Sequence, residues 1–224
     1  MGWADWVRGF EVEPSIYAAD FAHLAEQLEL TLDAGVRVFH FDVGDGHFIE
    51  PITTGPIVLE AIAGLVHGRG AAIDCHLMVD NPERHIPQMA RAGGDSVTFH
   101  VEVGPTQPVI ELAREHGLGV GVAFNPGTDV ADAARAAEGA DIVLCMSIWP
   151  GYSGQPFMPE AIPRVRELRG LLPPEVHIQV DGGIGRSNIA DVRAAGASLF
   201  VAGSSVYGKD DPATAYRELV SLAS

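Results

Sequence analysis

The stretch Val36-Arg37-Val38-Phe39-His40-Phe41-Asp42-Val43-Gly44 decides the fold of this chain. It is predicted to be a β-strand, in which alternate side chains point to the same face. Val38, His40 and Asp42 therefore lie on one face, which begins apolar and ends in an imidazole and a carboxylate. Gly44 is predicted to break the strand into a loop. Such a pair at a strand end is typical of half of a metal or acid–base site, and equally of a buried polar pair.

Seven further apolar segments are predicted to form strands, and each strand is followed by a segment with helical spacing. The strands are predicted at residues 10–17, 36–43, 71–78, 96–101, 119–124, 141–148, 176–181 and 198–202. The helices are predicted at about residues 20–35, 56–66, 82–93, 105–116, 129–138, 159–172, 187–196 and 212–222. Eight such β/α units in 224 residues predict an α/β fold, a (β/α)₈ TIM barrel, with a doubly wound parallel sheet as the alternative.

A single barrel domain is predicted for residues 1–224, of which residues 1–9 form a short N-terminal extension. The extension is expected to contain a helical turn that carries Trp3 and Trp6, and both indoles would be compatible with a contact between copies of the chain. Asp20 and Ser187 are predicted to cap the helices that follow them.

The formal net charge of −16 and the isoelectric point near 4.8 argue against a nucleic-acid partner or an anionic membrane surface. A small anionic substrate stays compatible with this charge, because backbone N–H groups can bind phosphate without lysine or arginine. Cys75 and Cys145 lie in apolar runs and are predicted to be reduced thiols. The N-terminus lacks the pattern of a signal peptide, and no apolar run reaches transmembrane length. A cytoplasmic location is therefore predicted.

A TIM barrel places the C-terminal ends of all its strands at one rim, where the active sites of this fold lie. Two imidazoles and two carboxylates are predicted at these ends, namely His40, Asp42, His76 and Asp181. This ligand set suits Zn²⁺, with Mn²⁺ or Fe²⁺ as alternatives. Asp74 lies one layer lower and is predicted to be a hydrogen-bond partner for a ligating imidazole. Each residue alone could equally be a satisfied buried polar group, but four of them at one rim favour a site.

Three glycine-containing loops follow the last three strands of the predicted barrel. In TIM barrels, phosphate often binds between the loops after strands seven and eight. The sequence therefore predicts that backbone N–H groups in this part of the rim bind the phosphate of a sugar phosphate. The residues concerned are Gly151 and Gly154, Gly182 and Gly183, and Gly203 with Ser204.

Six segments make the chain resemble the ribulose-phosphate 3-epimerase family from about Pro14 to the last helix. The resemblance implies a barrel of the ribulose-phosphate-binding type and an isomerase of the pentose phosphate pathway that interconverts D-ribulose 5-phosphate and D-xylulose 5-phosphate. It also implies a homo-oligomer. The segments are Pro14-Ser15-Ile16, His40-x-Asp42-x-x-Asp45-Gly46-x-Phe48, Asp74-Cys75-His76-Leu77-Met78, Met146-Ser147 with Pro150-Gly151-x-x-Gly154-Gln155, Val180-Asp181-Gly182-Gly183 and Ala202-Gly203-Ser204.

The resemblance also implies roles for individual residues. Asp42 and Asp181 would be the catalytic acid–base pair, which moves the C3 proton through a metal-stabilised enediolate. One divalent metal ion per chain, zinc in the first place with manganese, iron or cobalt as alternatives, would be bound by His40, Asp42, His76 and Asp181. The substrate-binding positions would be Ser15, His76, Met78, Met146, Gly151, Tyr152, Ser153, Gly154, Gln155, Gly182, Gly183, Gly203 and Ser204.

The chain departs from the family pattern around the predicted substrate. Gly44 stands where methionine is usual, which is expected to open space beside the metal, and Gln179 replaces a common inward glutamate. Glu50-Pro51 and Trp149 are further differences in the loops. These departures leave the sugar specificity open, and another ketose phosphate, such as D-allulose 6-phosphate, is the alternative substrate.

Two functions of other classes are compatible with a barrel of this kind. The first is a non-catalytic phosphosugar-binding protein, against which the intact set of rim ligands argues. The second is an aldolase, lyase or decarboxylase that uses a lysine at a strand end. The only lysine is Lys209, in a predicted exposed turn beyond the eighth strand, which argues against the second.

Overall fold

Eight parallel strands close into a barrel in the structure, a computed structural model that describes residues 2–224. Consecutive strands from β2 to β8 pair with each other, and β8 pairs with β1. A single bridge between Ser15 and His40 joins the remaining pair, β1 and β2. The predicted TIM barrel is therefore confirmed. The strands are β1 (Glu11–Pro14), β2 (Val38–Gly44), β3 (Ala72–Met78), β4 (Ser96–His100), β5 (Gly119–Phe124), β6 (Ile142–Met146), β7 (His177–Asp181) and β8 (Leu199–Ala202).

The helices cover the outside of the barrel, and their sequences mark where they begin. Proline is one of the first two residues of four of them, where a missing N–H group costs little. The Asp129 carboxylate accepts hydrogen bonds from the first N–H groups of α6, and Asp211 does the same for α9. The helices are α1 (Trp3–Trp6), α2 (Leu24–Asp33), α3 (Pro56–Gly68), α4 (Pro82–Ala92), α5 (Gln107–Glu115), α6 (Val130–Ala136), α7 (Ala161–Leu171), α8 (Ile189–Ala194) and α9 (Pro212–Ala223).

The outer faces of the strands carry large apolar side chains that are buried under these helices. Phe39, Phe41, Ile73, Phe99 and Phe200 belong to this layer. Burial of such side chains contributes about 1.5–3 kcal/mol each, so the layer between strands and helices forms the hydrophobic core. Among residues 2–224, no helix has both the length and the apolar character that crossing a membrane would require.

The inner face of the barrel is polar around its middle. Glu13, His40, Asp74, Thr98 and Gln179 are all completely buried there. Buried polar groups need hydrogen-bond partners or ligands, because their desolvation is costly. The interior of the barrel is therefore where a functional site is to be sought.

Helix α1 closes the opposite, N-terminal end of the barrel. Trp3 and Trp6 are 4% and 6% exposed and pack edge to face, with ring centroids 5.1 Å apart. Both indoles are therefore used inside the molecule and offer little surface for a contact between copies. They share one apolar cluster with the first residues of four strands, Val38, Ala72, Ile142 and Leu199.

Two predictions about strands are wrong. Strand β1 covers only Glu11–Pro14, because a turn of 3₁₀ helix begins at Ile16. Gly44 does not break β2 but is its last residue, and it is paired with Met78 of β3.

Two predictions about helix caps also need correction. Asp20 caps a short 3₁₀ turn, Phe21–His23, which precedes α2. The cap position of α8 is Asn188 rather than Ser187, and the Asn188 side chain accepts a hydrogen bond from the N–H group of Gly185.

Candidate active site

Four side chains converge at the C-terminal ends of three strands. His40 and Asp42 lie on β2, His76 lies on β3, and Asp181 is the last residue of β7. Asp42 is in register with His76, and both imidazoles are completely buried. Each of the four residues can offer one ligand atom, and these atoms lie within 4.8 Å of one another. The structure thus brings together the residues that the strand pattern predicts.

Asp42 is at the centre of this metal cluster, as we call His40, Asp42, His76 and Asp181. Its Oδ1 atom is 3.3 Å from Nε2 of His40 and 3.3 Å from Nδ1 of His76. The same Nδ1 atom of His76 is 3.8 Å from Oδ2 of Asp181. The second oxygen of Asp42 accepts a hydrogen bond of 2.5 Å from the Ser15 hydroxyl. Ser15 therefore orients the carboxylate and leaves Oδ1 facing the two imidazoles.

The chemistry of the metal cluster fits a divalent cation. Both ring nitrogens of His40 are buried, and neither has a hydrogen-bond partner. Unpaired polar atoms are uncommon in protein interiors, and coordination satisfies an imidazole nitrogen as a hydrogen bond does. Two imidazoles and two carboxylates form a ligand set that Zn²⁺, Mn²⁺ and Fe²⁺ accept. The four residues could therefore hold one such ion.

The two carboxylates of the metal cluster differ in their electrostatic surroundings. Burial alone would raise the pKa of Asp42, but His40 and His76 outweigh it and hold the pKa below its ordinary value. Burial and the nearby charge of Asp42 raise the pKa of Asp181 to about 7. The two carboxyl groups therefore differ in how readily they release a proton, as the acid and base of a proton-transfer pair do.

A hydrogen-bond network lies beside the metal cluster inside the barrel. Asp74 accepts hydrogen bonds from the hydroxyls of Ser96 (2.6 Å) and Thr98 (3.2 Å) and from the amide of Gln179 (3.0 Å). Its Oδ2 atom is 3.5 Å from Nδ1 of His40. Asp74 is therefore placed where it can support a ligating imidazole.

Glu13 accounts for the glutamine at position 179, where the resemblance leads us to expect a glutamate. The Gln179 amide also donates a hydrogen bond to the Glu13 carboxyl group. Burial, together with the charge of Asp74, raises the pKa of Glu13 well above its ordinary value. A glutamate at position 179 would bring a third acid against Glu13 and Asp74, whereas the glutamine amide supplies N–H donors to both.

A third imidazole lies against the metal cluster, and the sequence analysis does not identify it. His100 is the last residue of β4 and is completely buried. Its Nε2 atom is 2.9 Å from Nε2 of His76, and its Nδ1 atom is 3.2 Å from Oε2 of Glu102. Burial lowers the pKa of His100 to about 4, so this imidazole is neutral at neutral pH. The available signal is its even spacing from Thr98, which places it on the inward face of the strand.

A cavity connects Asp42 and Asp181 with the loops that follow β6, β7 and β8. Two of the predicted substrate residues, His76 and Gln155, are not among the residues that line it. The predicted residues in its wall are Ser15, Met78, Met146, Gly151, Tyr152, Ser153, Gly154, Gly182, Gly183, Gly203 and Ser204. The wall also contains residues that the sequence analysis missed, including Tyr17, Ile148, Ile184 and Val201.

The β6–α7 loop, residues 147–160, covers one side of this cavity. The Gln155 amide donates hydrogen bonds to the carbonyls of Trp149 (2.9 Å) and Tyr152 (3.0 Å), so it braces the loop from within. The Tyr152 hydroxyl donates a hydrogen bond of 3.1 Å to Oε2 of Glu50 in the β2–α3 loop. This contact joins the β6–α7 loop, which lines the cavity, to the β2–α3 loop.

Gly44 does not open space beside the metal cluster, and that prediction is wrong. A side chain at position 44 would collide with Ile49, which is only 4% exposed, and would come close to the carbonyl of Pro51. Ile49 thus fills the volume that a longer side chain at position 44 would take. The absence of a side chain at position 44 is therefore compensated by Ile49.

Basic side chains do not contribute to the cavity wall. Within the described residues, neither lysine nor arginine lines it. Lys209 is exposed beyond β8, as the sequence predicts. A phosphate in this cavity would have to be bound by backbone N–H groups and hydroxyls.

Solved structures of other proteins share the fold. 3-Hexulose-6-phosphate synthase from Salmonella typhimurium superposes with a TM-score of 0.74 at 19% identity, covering 95% of this chain and 98% of that chain. KGPDC from Streptococcus mutans superposes with a TM-score of 0.72 at 15% identity, covering 96% and 98%. At such low identity these similarities establish the barrel fold alone.

Sequence comparison is more specific. The model of the ribulose-phosphate 3-epimerase family matches residues 11–207. Ribulose-phosphate 3-epimerase from Serratia marcescens is 39% identical over 209 residues, which are 92% of this chain and 99% of that protein. The protein of the same name from Aquifex aeolicus (strain VF5) is 38% identical over 213 residues, covering 93% and 95%. Because the match extends over nearly the whole barrel, this chain belongs to the ribulose-phosphate 3-epimerase family and is an isomerase.

Proposed function

We propose that this protein is a metal-dependent 3-epimerase that interconverts D-ribulose 5-phosphate and D-xylulose 5-phosphate. The observation that supports this most is that Asp42 and Asp181, from β2 and β7, line the same cavity as the glycine-containing loops. A ketose phosphate needs both features, an acid–base pair at its C3 atom and a site for its phosphate group.

Asp42 and Asp181 are proposed to transfer the proton. Epimerisation at C3 of a 2-ketose requires that the proton next to the C2 carbonyl is removed and that a proton is returned to the opposite face. One carboxylate takes the proton from C3, and the other carboxyl group delivers its own proton from the other side. In the reverse direction the two residues exchange roles. Ser15 keeps Asp42 oriented by its hydrogen bond to Oδ2.

One divalent cation would be held by the metal cluster, His40, Asp42, His76 and Asp181. Zinc is the first choice for this cation, and manganese, iron or cobalt are the alternatives. When bound, the ion would supply Lewis-acid stabilisation of the negative charge that develops on the sugar oxygens. Met78 and Met146 are buried in the cavity wall, and their apolar side chains would keep water away from the deprotonated carbon.

The phosphate group is proposed to bind at the glycine-containing loops. Gly182 and Gly183 have φ angles of 118° and 63°, a left-handed backbone that glycine adopts without strain. Gly203 and Ser204 follow β8, where phosphate commonly binds in barrels of this kind. Backbone N–H groups suit this acidic chain, whose cavity wall contains no basic side chain among the described residues. Self-association stays a prediction from the family resemblance.

The choice of D-ribulose 5-phosphate over a longer ketose phosphate follows from Ile49. Gly44 by itself predicts a wider pocket, but Ile49 occupies that volume. D-Allulose 6-phosphate is therefore the second substrate to assay rather than a second proposed function.

An epimerase assay combined with metal analysis of the same sample tests the proposal. We expect interconversion of the two pentulose phosphates, deuterium incorporation at C3 in D₂O, and a higher kcat/KM than for D-allulose 6-phosphate. Chelation should abolish activity, and added Zn²⁺ or Mn²⁺ should restore it. Full activity after complete metal removal would contradict the role of the metal.

A matched control separates this mechanism from lysine chemistry. Lys209→Met should leave kcat/KM unchanged, because the side chain is exposed and outside the cavity. A wild-type protein that epimerises none of the tested ketose phosphates, although it is folded and metal-loaded, would refute the proposed activity.

A further inference from the structure

The side chains of His76, His100 and Glu102 form a continuous chain of polar contacts that leads away from the metal cluster. Nε2 of His76 is 2.9 Å from Nε2 of His100, and Nδ1 of His100 is 3.2 Å from Oε2 of Glu102. Glu102 lies in the 3₁₀ turn that follows β4. Its other oxygen, Oε1, accepts hydrogen bonds from the N–H group of Asn125 (2.8 Å) and from the hydroxyl of Thr128.

The contacts of Glu102 determine which atom donates in each hydrogen bond between Glu102, His100 and His76. An ionised carboxylate only accepts, so Nδ1 of His100 must carry the proton. With its one ring proton on Nδ1, the His100 imidazole presents Nε2 as an acceptor. The short contact between the two imidazoles therefore requires the N–H group of His76 at Nε2. The remaining nitrogen of His76, Nδ1, is left with a free lone pair.

That lone pair faces the two carboxylates of the metal cluster. Nδ1 of His76 is the atom that lies 3.3 Å from Asp42 and 3.8 Å from Asp181. The opposite tautomer would place a proton on Nδ1, where it blocks coordination. In the metal-free site the Asp42 carboxylate favours this opposite tautomer, because Nδ1–H of His76 would donate to Oδ1 at 3.3 Å. Glu102 opposes it, because Nδ1 of His100 would become an acceptor 3.2 Å from a carboxylate, and two acceptors repel each other.

Packing holds the imidazoles in this arrangement. The rings of His76 and His100 are stacked, with centroids 5.1 Å apart and planes 22° apart. The ring of Phe48, in the β2–α3 loop, contacts the His100 ring at a tilt of 48°, with centroids 4.7 Å apart. Rotation of the His100 ring would therefore break its contacts with the rings of His76 and Phe48 and both hydrogen bonds.

We propose that His100 and Glu102 are positioning residues that fix the tautomer of His76, so that its Nδ1 atom is free to bind the metal ion. The inference rests on the proposed function, in which His76 is a metal ligand. Neither residue lines the cavity, so their effect on the reaction passes through His76. A hydrogen-bonded partner behind a ligating histidine typically changes metal affinity by about 10- to 100-fold.

Glu102→Gln is the sharpest test, because it changes one atom and keeps the shape of the side chain. The donors of Asn125 and Thr128 would hold the amide oxygen of the new glutamine, so its NH₂ group would face His100. Each hydrogen bond between Glu102, His100 and His76 then reverses its direction, and His76 carries its proton on Nδ1. We expect the dissociation constant for Zn²⁺, measured by competition with a chelator, to rise about 10- to 100-fold.

Two further variants serve as comparison. His100→Phe keeps a ring of similar size but removes both hydrogen bonds, and it should weaken Zn²⁺ binding to a similar extent. Glu111→Gln on the exposed face of α5 makes the same change of charge and should leave the dissociation constant unchanged. Circular dichroism would establish that each variant is folded.

The tautomer itself can be read by ¹⁵N NMR of the imidazoles in the full-length protein before zinc is added. In the wild type, His76 should carry its proton on Nε2, and in Glu102→Gln on Nδ1. A proton on Nδ1 in the wild type, or unchanged zinc affinity in both variants, would overturn the inference. If the wild type bound no zinc but had the Nε2 proton, the proposed metal dependence would fail while the positioning by His100 and Glu102 would stand.

Discussion

The two ends of the cavity are built in different ways. At the acid–base end, His40, Asp42 and His76 project from paired strands and are buried in a network of polar contacts. At the phosphate end, the wall consists of loops, and an exposed contact between Tyr152 and Glu50 joins one of them to the β2–α3 loop. Groups that react need fixed positions, whereas groups that admit and release a substrate need to move. The difference predicts that substitutions at the first end affect kcat and that substitutions at the second affect KM.

The largest effect is expected from Asp181→Asn, which removes one of the two proton-transferring groups. An amide cannot take up or deliver the C3 proton, so kcat should fall about 10²- to 10⁴-fold. The measurement is kcat, with the incorporation of deuterium from D₂O at C3 and the metal content of the same sample.

Asp191→Asn, on the exposed face of α8, is the matched control and should have wild-type kcat. An Asp181→Asn variant that binds metal and keeps most of its kcat would show that the acid–base pair is assigned to the wrong residue.

An intermediate effect is expected from Gly183→Ala at the phosphate end. The φ angle of Gly183 is 63°, and an added Cβ would lie 2.5 Å from the backbone nitrogen of Phe157. The β6–α7 loop would have to shift, which should raise KM about 10-fold, or about 1.4 kcal/mol of binding free energy, with a smaller change in kcat. Steady-state kinetics of both constants would check this.

Gly185→Ala is the control for Gly183, because its Cβ would meet only Ser205 at 3.8 Å. Equal effects of the two alanines on KM would contradict the close backbone approach at position 183. A fall in kcat with unchanged KM would remove the distinction between the two ends.

The smallest effect is expected from Tyr152→Phe, which removes the hydrogen bond to Glu50. Exposed polar contacts contribute little, so KM should rise only about 2- to 3-fold with unchanged kcat. Glu50→Gln and the double variant complete a cycle that isolates the contact itself. Additive effects in this cycle would mean that the contact does not hold the loops together.

The metal cluster could be predicted from the sequence because it depends on strand geometry. Once the β2 stretch is placed in a barrel, alternation puts His40 and Asp42 on the inner face. The rule that strand ends meet at one rim then adds His76 and Asp181. His100 obeys the same alternation, in step with Thr98 on β4, so its inward position could be predicted in the same way.

The loops and the barrel end could not be predicted in the same way. Ile49 fills the volume beside Gly44 only because the β2–α3 loop folds back on its own strand, and no periodicity encodes that path. The packing of Trp3 and Trp6 under the barrel depends on contacts with strand starts that are distant in sequence. Gln179 is understandable only when its neighbour Glu13 is seen. Tertiary contacts decide each of these cases.

The single bridge between Ser15 and His40 makes catalytic activity a measure of whether the barrel is closed. It is the joint between β1 and β2, and the hydrogen bond from Ser15 to Asp42 crosses the same gap. A chain with all its helices and strands but with this joint open would have a divided site. Catalytic activity would therefore report whether the barrel is closed between β1 and β2, which far-ultraviolet circular dichroism does not. Any ligand that binds across this gap would favour the closed barrel by mass action.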